Sequence, residues 1–316
     1  MSTCSCRSLN KARTLAFQSV DLCHREQLNK FLQHNQNPCC DLTFANMYVW
    51  GESYNTSFAE SEGMLLIRCT KDGDTIYMPP IGAGDFAQAM RAIAEDNCHS
   101  GQELLRILCV TEREKLLLEE LHPGKFTFNH MRDNDDYIHL TASLGELQGK
   151  KYHGKRGHVK KFQTLYGAEY RPMTAELIPA VLEMNRRWTE HHDYVADDAS
   201  EEMRATSRLL NNFESLELVG GVLLHEGQVI AASAGSRHHP GGDTIVVHYE
   251  KGLLSYEGVY SAINNLFMAD CMDRFTYANR EEDMGLEGLR KSKLSYKPEL
   301  VLEKYEALCP VSALLD

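Results

Sequence analysis

Apolar and polar residues alternate along the chain in a way that predicts two successive series of helices and strands. The first series contains, in order, helices at about 22–35 and 42–51, a hairpin of GMLLIRC and DTIYM turned at KDG, a helix from Asp85, a strand at 103–110, a helix at 111–121 and two short strands within 126–140. The second contains, in order, helices at about 174–190 and 199–211, strands at 215–225, 228–237 and 244–250, a helix at 255–271, a strand at 274–279, a helix at 284–296 and a strand at 299–307. The order of elements recurs, which indicates a structural duplication.

Each series is predicted to form a mixed sheet with helices on both faces. Hairpins give antiparallel strand pairs and helical crossovers give parallel ones, so both types are expected. The predicted fold class is therefore α/β (α+β), with two similar domains in tandem. We expect a shortened N-terminal domain at 1–145, a basic linking helix at 146–170 and a complete C-terminal domain at 171–316.

One segment departs from the acidic character of the chain. With 33 Lys plus Arg against 45 Asp plus Glu, the formal net charge is −12, which excludes a generally basic nucleic-acid-binding protein. The stretch KKYHGKRGHVKK at 150–161 nevertheless holds six basic residues and no acidic one. Most charge runs only keep a surface solvated. Lys155, however, falls on the apolar side of the predicted helix, where an ammonium group must reach solvent or meet an anion.

The cysteines and the apolar runs bear on the compartment. The ten cysteines include no CxxC pair, and we interpret them as reduced thiols. The N-terminus MSTCSCRSLNKAR has no apolar run typical of a signal peptide, and no apolar stretch reaches the ~20 residues that a membrane-spanning helix needs. We therefore expect a cytoplasmic protein without a transmembrane segment.

Two titratable residues stand close together in the strand TIVVHYE at 244–250. Strand alternation puts His248 and Glu250 on one face. Beside Lys251, these residue types suit the removal of a proton from an amine or hydroxyl nucleophile. The alternative is a strand end whose polar residues simply reach water.

Five polar residues, NREED at 279–283, directly follow the next strand. Ligands collect at the carboxyl ends of parallel strands in such sheets, so Asn279, Arg280 and Glu281 are candidate site residues. Asp283 fits an N-cap of the following helix. We expect no metal site here, because adjacent acidic residues of an extended chain point apart.

The helix after this loop adds two candidates. Leu286, Leu289, Lys293 and Tyr296 recur at helical spacing. Lys293 and Tyr296 are therefore predicted to face inward, towards the strand ends.

Three blocks of the sequence resemble the phosphatidylglycerol lysyltransferase C-terminal-domain-like family, which is related to the Fem peptidoglycan aminoacyltransferases. The blocks are DDYIHL at 135–140 leading into LGELQGKKYHGKRGHVKKF, VHYEK at 247–251, and NREEDMGLEGLRKSKLSYKPELVLEKY at 279–305. The resemblance implies two tandem GNAT-type acyltransferase folds. In such folds the third and fourth strands of the main half splay apart, and the acyl arm of the donor enters the gap.

The resemblance also implies the chemistry. The splayed strands would be 244–250 and 274–279, which makes His248, Glu250 and Glu281 the candidate catalytic residues. The candidate substrate-binding residues are Lys155, Arg156, Asn279, Arg280, Lys293 and Tyr296. The donor would be aminoacyl-tRNA, and the acceptor an amine or hydroxyl of a small molecule, lipid or cell-wall precursor. The basic residues of the 150–161 helix make that helix the expected contact for the tRNA. No tightly bound cofactor is expected.

Two alternative functions stay open. One is a CoA-dependent N-acyltransferase with acyl-CoA as co-substrate. GNAT domains of that kind usually bind the CoA pyrophosphate with a loop of the pattern Gln/Arg-x-x-Gly-x-Gly/Ala at a helix start. The corresponding EKGLLSYEGVY at 250–260 instead places bulky residues between Gly252 and Gly258 and a negative charge at Glu257. The other alternative is a non-catalytic duplicate that binds RNA or a nucleotide through the basic helix.

Overall fold

The computed structural model describes residues 15–71, 73–190 and 196–315, in which the chain forms two compact units. The first unit extends to Asp135 and includes His239–Gly241 and the segment from Leu302. The second contains Asp136–His238 and Gly242–Val301. The chain therefore enters the second unit ten residues before the domain boundary expected at 145, and the segment 146–170 belongs to that unit.

The helices and strands predicted from the sequence occur in the predicted order, but the structure also has strands at Gln18–Ser19, Ser57–Ser61, Ile81–Gly82 and Glu169–Pro172 that were not predicted. The last of these lies within the segment 146–170 predicted as a linking helix, whose helical part is His153–Tyr166. The α-helices of the described residues are α1 (Arg25–Leu32), α2 (Phe44–Val49), α3 (Phe86–His99), α4 (Glu112–Leu121), α5 (Thr141–Glu146), α6 (His153–Tyr166), α7 (Ile178–Glu190), α8 (Ala196–Asn211), α9 (Val259–Cys271), α10 (Glu287–Ser295) and α11 (Ser312–Leu315). The strands are β1 (Gln18–Ser19), β2 (Ser57–Ser61), β3 (Met64–Lys71), β4 (Asp74–Tyr77), β5 (Ile81–Gly82), β6 (Leu104–Val110), β7 (Thr127–His130), β8 (Asp136–Leu140), β9 (Glu169–Pro172), β10 (Val219–His225), β11 (Gln228–Arg237), β12 (Thr244–Gly252), β13 (Tyr277–Asn279), β14 (Leu300–Leu302) and β15 (Tyr305–Pro310).

The last predicted strand, 299–307, is two strands in the structure. Lys304 separates them. Its backbone N–H bonds the carboxylate of Asp135 at 2.9 Å, and its carbonyl accepts from the N–H of Met131 at 2.8 Å. The backbone groups of Lys304 are thus used outside a regular ladder, and the strand ends there.

The first unit is built on an eight-stranded mixed sheet. Its strand order is β1-β2-β3-β4-β6-β15-β7, with β5 paired to β3. The pair β4–β6 is parallel, and β15 is antiparallel to both β6 and β7. The C-terminal strand β15 therefore completes a sheet whose other strands come from the N-terminal part of the chain. The core beneath it includes Leu66, Tyr77, Ile93 and Ile107.

The second unit is built on a seven-stranded mixed sheet. Its order is β14-β8-β13-β12-β11-β10-β9, in which β12–β13 is parallel and the pairs β8–β13, β11–β12, β10–β11 and β9–β10 are antiparallel. Strand β8, predicted as part of the first half, lies beside β13. Both units therefore have the mixed, mostly antiparallel sheet with flanking helices that the sequence predicted.

Helix α9 covers the centre of the second sheet and positions α6. Its apolar side buries Val259, Ile263 and Phe267. Phe162 of α6 packs into the same core. Gly258 is the N-cap of α9 at φ +85°, and a Cβ there would lie 3.2 Å from the carbonyl oxygen of His158. The glycine thus allows α6 to approach the start of α9.

Two predictions that bear on the cellular compartment concern a membrane span and the redox state of the cysteines. Of the helices in the described residues, none has the length and apolar content required to cross a membrane. Cys98 is disulfide-bonded, so the prediction that every cysteine is reduced is wrong at this position. Cys4, Cys6 and the N-terminal stretch used to judge a signal peptide lie outside the described residues.

Candidate functional site

Strand β13 pairs along its whole length with only the first three residues of β12. They pair in parallel from Thr244 with Tyr277 to Val246 with Asn279. Beyond these pairs β12 continues beside β11 to Gly252, whereas the chain after Asn279 leaves the sheet. The divergence opens a gap at the carboxyl ends of the two strands, as the family resemblance implied.

A β-bulge at His248 changes the side-chain alternation of β12. The register with β11 shifts there by one residue. Before the bulge, Val247 packs in the core with α9, and after it Glu250 faces α9 and bonds Asn264. The prediction that His248 and Glu250 share a face is therefore wrong, because the extra residue reverses the alternation between them.

Lys251 is directed to the opposite side of the sheet. Its ammonium lies 3.3 Å from the ring centroid of Trp188 and bonds Glu202. Burial lowers the pKa of Lys251, whereas Glu202 acts to raise it. Lys251 thus belongs to a cluster with α7 and α8 and does not join Glu250.

Glu250 and Arg280 form an ion pair at the gap. Nη2 of Arg280 donates to Oε1 of Glu250 at 2.7 Å, and the side chains of Arg280 and Glu250 are 10% and 13% exposed. Nδ2 of Asn264 donates to the other carboxylate oxygen at 3.1 Å. Among the described residues, the buried Nη1 of Arg280 and Oδ1 of Asn264 have no hydrogen-bond partner. A buried donor and a buried acceptor thus have no protein partner beside one carboxylate, and a polar ligand or an ordered water would satisfy both.

The ring of Tyr296 brings a further cation to this cluster. Nζ of Lys155 lies 3.7 Å from the ring centroid and Cζ of Arg280 lies 5.0 Å from it. Burial lowers the pKa of Lys155, and the charge of Arg280 lowers it further, against the effect of Glu250. The ammonium of Lys155 therefore reaches the Glu250 site from helix α6, as its place on the apolar side of that helix allowed.

His248 connects Ser236 and Glu281. Its Nε2 lies 2.8 Å from Oγ of Ser236, and its Nδ1 lies 2.9 Å from Oε1 of Glu281. Ser236 is 5% exposed, and the side chains of His248 and Glu281 are 3% and 23% exposed. The hydroxyl of Ser236, the imidazole of His248 and the carboxylate of Glu281 thus form a chain of contacts. Along the sequence, His248 is two residues before Glu250, and Glu281 follows Arg280 directly.

The backbone of Glu281 is held in an uncommon conformation. Its φ is +55°, in the left-handed region that residues other than glycine disfavour. Oδ1 of Asn279 accepts from the N–H of Glu281 at 2.8 Å, and Nδ2 of Asn279 donates to Asp136 at 2.9 Å. Asn279 and Asp136 are fully buried. Asn279, predicted to bind substrate, is placed to orient Glu281.

Lys293 stabilises the same loop. Its ammonium donates to the carbonyl oxygens of Arg280 at 2.6 Å and Glu281 at 3.1 Å, and also bonds the carbonyl of Glu282. An ammonium has three hydrogens to donate, and these carbonyls accept all three. The structure therefore places Lys293 as a positioning residue beneath the loop.

Arg156 likewise bonds backbone. Its Nη1 donates to the carbonyl oxygen of Gly149 at 2.7 Å and to that of Leu147. These are carbonyls between α5 and α6. Arg156 thus fixes the segment that leads into the basic helix.

Asp283 is not the N-cap of α10, which is Leu286. Its buried carboxylate accepts from Tyr137 at 2.5 Å, from the N–H of Gly285 at 2.9 Å and from Arg290 at 2.7 Å. Burial alone would raise the pKa of Asp283, but the hydrogen bonds from Arg290, Tyr137 and Gly285 lower it well below its usual value. Asp283 anchors the loop that carries Arg280 and Glu281.

Helix α6 covers the start of α9, where a CoA pyrophosphate would require bare backbone. The N–H of Glu257 donates to the hydroxyl of Tyr166 at 3.1 Å, and the Glu257 carboxylate pairs with Lys161 at 2.6 Å. The close approach of His158 to Gly258 fills the same turn. An approaching anion would have to displace part of α6.

A group of metal-ligand side chains lies elsewhere, in the first unit. Ligand atoms of Cys39, Asp41 and Cys109 are within 4.8 Å of one another. The Asp41 carboxylate is already paired with Lys304 at 2.9 Å. Burial raises the pKa of the Cys39 thiol well above its usual value, so without a metal ion the thiol is uncharged.

Sequence reasoning missed three residues of the site, namely Ser236, Asn264 and Asp136. Each is a polar residue within an apolar run: Ser236 in QVIAASAGSR, Asn264 in VYSAINNLFMADC and Asp136 at the start of DYIHL. A polar residue on a face predicted to be buried was the available signal. This signal does not identify the hydrogen-bond partner of each residue, because the partners lie on other strands.

Comparisons with known proteins identify the fold and the family. The family model described as phosphatidylglycerol lysyltransferase, C-terminal, matches residues 35–308. No curated protein matches the sequence. A conserved protein of unknown function from Bacteroides thetaiotaomicron VPI-5482 is 34% identical, with a TM-score of 0.89 over 94% of this chain and 100% of that one.

Two more distant structures show the fold alone. L-PGS from Bacillus licheniformis is 16% identical, with a TM-score of 0.67 over 96% of this chain and 98% of that one. A tandem GNAT protein from the clavulanic acid biosynthesis pathway is 9% identical, with a TM-score of 0.50 over 94% and 98%. The prediction of two GNAT-like folds in tandem is confirmed.

Proposed function

This chain belongs to the family of phosphatidylglycerol lysyltransferase C-terminal domains, and from that premise we propose that it transfers an aminoacyl group from aminoacyl-tRNA to an amine or hydroxyl acceptor. The acceptor would be a small molecule, a lipid or a cell-wall precursor. The proposal includes a cytoplasmic location, where charged tRNA is available.

The pair of unsatisfied atoms beside Glu250 carries the proposal. An aminoacyl ester presents an ammonium group, which donates hydrogen bonds, next to a carbonyl oxygen, which accepts them. Glu250 and Oδ1 of Asn264 supply the acceptors, and Nη1 of Arg280 supplies the donor. A simple acetyl group has no ammonium and would leave Asn264 unsatisfied.

The charges of the site suit acyl transfer. Attack on the ester places negative charge on the carbonyl oxygen, and fixed cations in a dry site stabilise that charge more than water does. Arg280 and Lys155 are the cations available. Holding donor and acceptor side by side in the gap supplies the rest of the rate enhancement.

The tRNA would lie along α6. Lys155 faces the Glu250 site, whereas Lys150 and Lys160 are exposed on the same basic segment. Phosphates near the acceptor end could therefore contact Lys150 and Lys160 while the esterified end reaches Lys155. A CoA-dependent transferase would instead bind phosphate at the start of α9, which α6 covers in this chain.

A transfer assay with charged tRNAs tests the proposal. The protein is incubated with a panel of radiolabelled aminoacyl-tRNAs and a set of amine, lipid and peptidoglycan-precursor acceptors, beside acetyl-CoA as the competing donor. Label should move from at least one aminoacyl-tRNA, and Arg280→Lys should reduce the transfer, because lysine lacks the planar pair of donors. Transfer from acetyl-CoA alone would refute the proposal.

A further inference from the structure

Two cysteines and an aspartate of the first unit converge where the segment before α2 meets the end of β6. Ligand atoms of Cys39, Asp41 and Cys109 lie within 4.8 Å of one another, and Sγ of Cys39 lies 3.0 Å from Oδ2 of Asp41. In a tetrahedral zinc site with Zn–S bonds of about 2.3 Å, neighbouring sulfur atoms lie ~3.8 Å apart. The three side chains are therefore close enough together to bind a single ion.

One buried side chain, that of Asn37, holds the backbone of both cysteines. Its Nδ2 donates to the carbonyl oxygen of Cys109 at 2.9 Å, and its Oδ1 accepts from the N–H of Cys39 at 3.0 Å. Asn37 is 3% exposed and lies 72 residues before Cys109. A contact between distant parts of the chain thus fixes where the two sulfur atoms meet. Residues behind the ligands of metal sites commonly have this role.

A β-bulge sets the direction of the Cys109 side chain. The register of β6 with β15 shifts between Ile107 and Val110, and the φ of Cys109 is +57°. In a regular strand Cys109 would face the same core as Ile107, but after the bulge Val110 packs there and Cys109 meets Cys39. A residue other than glycine adopts this φ at a cost, and such strain occurs preferentially at functional sites.

The charges beside these ligands match a divalent cation. Nζ of Lys304, whose side chain is 3% exposed, lies 2.9 Å from Oδ2 of Asp41. Two thiolates, one carboxylate and this ammonium carry a net charge of −2, so an ion of charge +2 makes the group neutral. Uncompensated buried charge is costly. The ammonium of Lys304 therefore balances the charge of the ligands once the ion is bound.

The same charge balance keeps Cys40 as a thiol. Its Sγ lies 3.7 Å from Oδ2 of Asp41 and 3.8 Å from Nζ of Lys304. A third thiolate would leave a buried negative charge, so the fourth position of the ion goes to water. The side chain of Asp41 is 37% exposed, which gives the ion and this water a path from solvent.

From this geometry we propose that Cys39, Asp41 and Cys109 bind a divalent cation that prefers sulfur ligands, with zinc as the best match. Sulfur ligands favour zinc over magnesium and calcium, which prefer oxygen. Binding replaces the S–H bonds of two thiols with two metal–sulfur bonds and releases two protons, so that atoms and charge balance. The ion would join the segment before α2 to β6, whether or not the protein transfers an aminoacyl group.

Titration with Cd²⁺ tests the site, because a bond between Cd²⁺ and a thiolate gives a charge-transfer absorption band in the ultraviolet. The full chain is first treated with a chelator and kept in a thiol-free reductant. One Cd²⁺ per chain should bind, and Zn²⁺ should displace it. A pH indicator in weak buffer should record about two protons released for each Zn²⁺ bound by the metal-free protein.

Cys39→Ser and Cys109→Ser should each weaken binding by at least about 100-fold, since loss of a residue that only supports a ligand already costs 10- to 100-fold. Cys309→Ser is the matched control. Cys309 is a fully buried cysteine of β15, and its thiol donates to the carbonyl of Pro310 at 3.4 Å, as a serine hydroxyl also can. This variant should bind one ion with the affinity of the parent protein.

Melting temperatures separate loss of the site from loss of the fold. Zn²⁺ should raise the melting temperature of the parent protein and of Cys309→Ser, because an ion that binds only the folded state stabilises it. The metal-free variants at Cys39 and Cys109 should melt near the metal-free parent protein and should not respond to Zn²⁺.

Three results would overturn the proposal. The first is a folded parent protein without a charge-transfer band, and the second is equal binding by the parent protein, Cys39→Ser and Cys109→Ser. The third is binding that is lost in Cys23→Ser, which would show that Cd²⁺ attaches to the exposed thiol of Cys23 instead. None of these results depends on aminoacyl transfer, so the metal site and the proposed function are tested separately.

Discussion

Glu250 and Arg280 are bonded at 2.7 Å although their strands have already separated, since Glu250 lies on β12 and Arg280 follows the end of β13. Their ion pair crosses the gap that opens beyond Val246 and Asn279. Both charged side chains are almost buried, yet Nη1 of Arg280 has no hydrogen-bond acceptor among the described residues. The pair therefore closes one side of the gap and presents a donor to whatever enters it.

Substitution Glu250→Gln should weaken donor binding far more than it weakens the fold. The amide keeps the shape and can still accept from Arg280, but the charge that would bind an ammonium group is lost. A hydrogen bond to a charged group contributes about 1.5–3 kcal/mol, so donor affinity should fall about 10- to 100-fold. Titration calorimetry with a non-hydrolysable aminoacyl-nucleoside analogue measures this.

The matched control for Glu250 is Glu169→Gln, because Glu169 forms an exposed pair with Arg171 at 2.7 Å on the edge strand β9. The Glu169→Gln variant should bind the analogue with the same affinity as the parent protein. A lower melting temperature for Glu250→Gln with unchanged affinity would make Glu250 a structural residue.

Binding of tRNA should depend steeply on salt through only part of the basic segment. Each phosphate contact lowers log K by about 0.7–0.9 per tenfold rise in salt. Lys150→Gln and Lys160→Gln should each reduce that slope, whereas Lys161→Gln should reduce it less, because Lys161 is paired with Glu257. Fluorescence anisotropy with labelled tRNA over a salt series gives the slopes.

Lys30→Gln, an exposed lysine of α1 outside the basic segment, removes the same charge and should leave the salt slope unchanged. Binding that does not respond to salt, or equal effects from all these lysines, would contradict a tRNA site on α6.

Coenzyme A should bind weakly or not at all. The hydroxyl of Tyr166 accepts a hydrogen bond from the N–H of Glu257, and the backbone of His158 lies against Gly258. The start of α9 therefore has no open backbone for a pyrophosphate. The carboxylate of Glu257 adds a negative charge that would repel the pyrophosphate, although Lys161 partly neutralises it. Calorimetry with CoA and acetyl-CoA should show no saturable heat, and a micromolar dissociation constant for either would return a CoA-dependent N-acyltransferase to first place.

Stability should fall in acid through Asp283. The pKa of Asp283 is lowered in the folded protein, so its contribution is fully present above the ordinary aspartate value of about 3.9 and is lost as pH falls towards the folded value. Asp283→Asn should cost about 1.5–3 kcal/mol near neutral pH and make the unfolding free energy less dependent on pH below ~4. Urea unfolding at several pH values measures both effects.

Asp273→Asn, at an exposed aspartate in the second unit, is the control and should change the unfolding free energy little. An equal loss of stability in both variants, or an Asp283→Asn profile parallel to that of the parent protein, would show that the Asp283 bonds do not stabilise the loop.

The sequence by itself determined the local structure and the location of the charged groups. Helical and strand periodicity placed the elements, since each depends on residues near in the chain. The absence of acids from 150–161 identified the basic helix, and the apolar side of that helix located Lys155. Polar residues after a strand marked Arg280 and Glu281.

Tertiary structure alone decided which of these residues meet. The bulge at His248 reversed the face of Glu250, and it depends on the pairing of β12 with β11, which periodicity does not report. Strands β8 and β15 pair with partners far away in the sequence, so the sheet that each completes could not be predicted from local pattern. Ser236 and Asn264 gained their roles in the same way, because a polar residue in an apolar run shows that a partner is needed but not which distant residue supplies it.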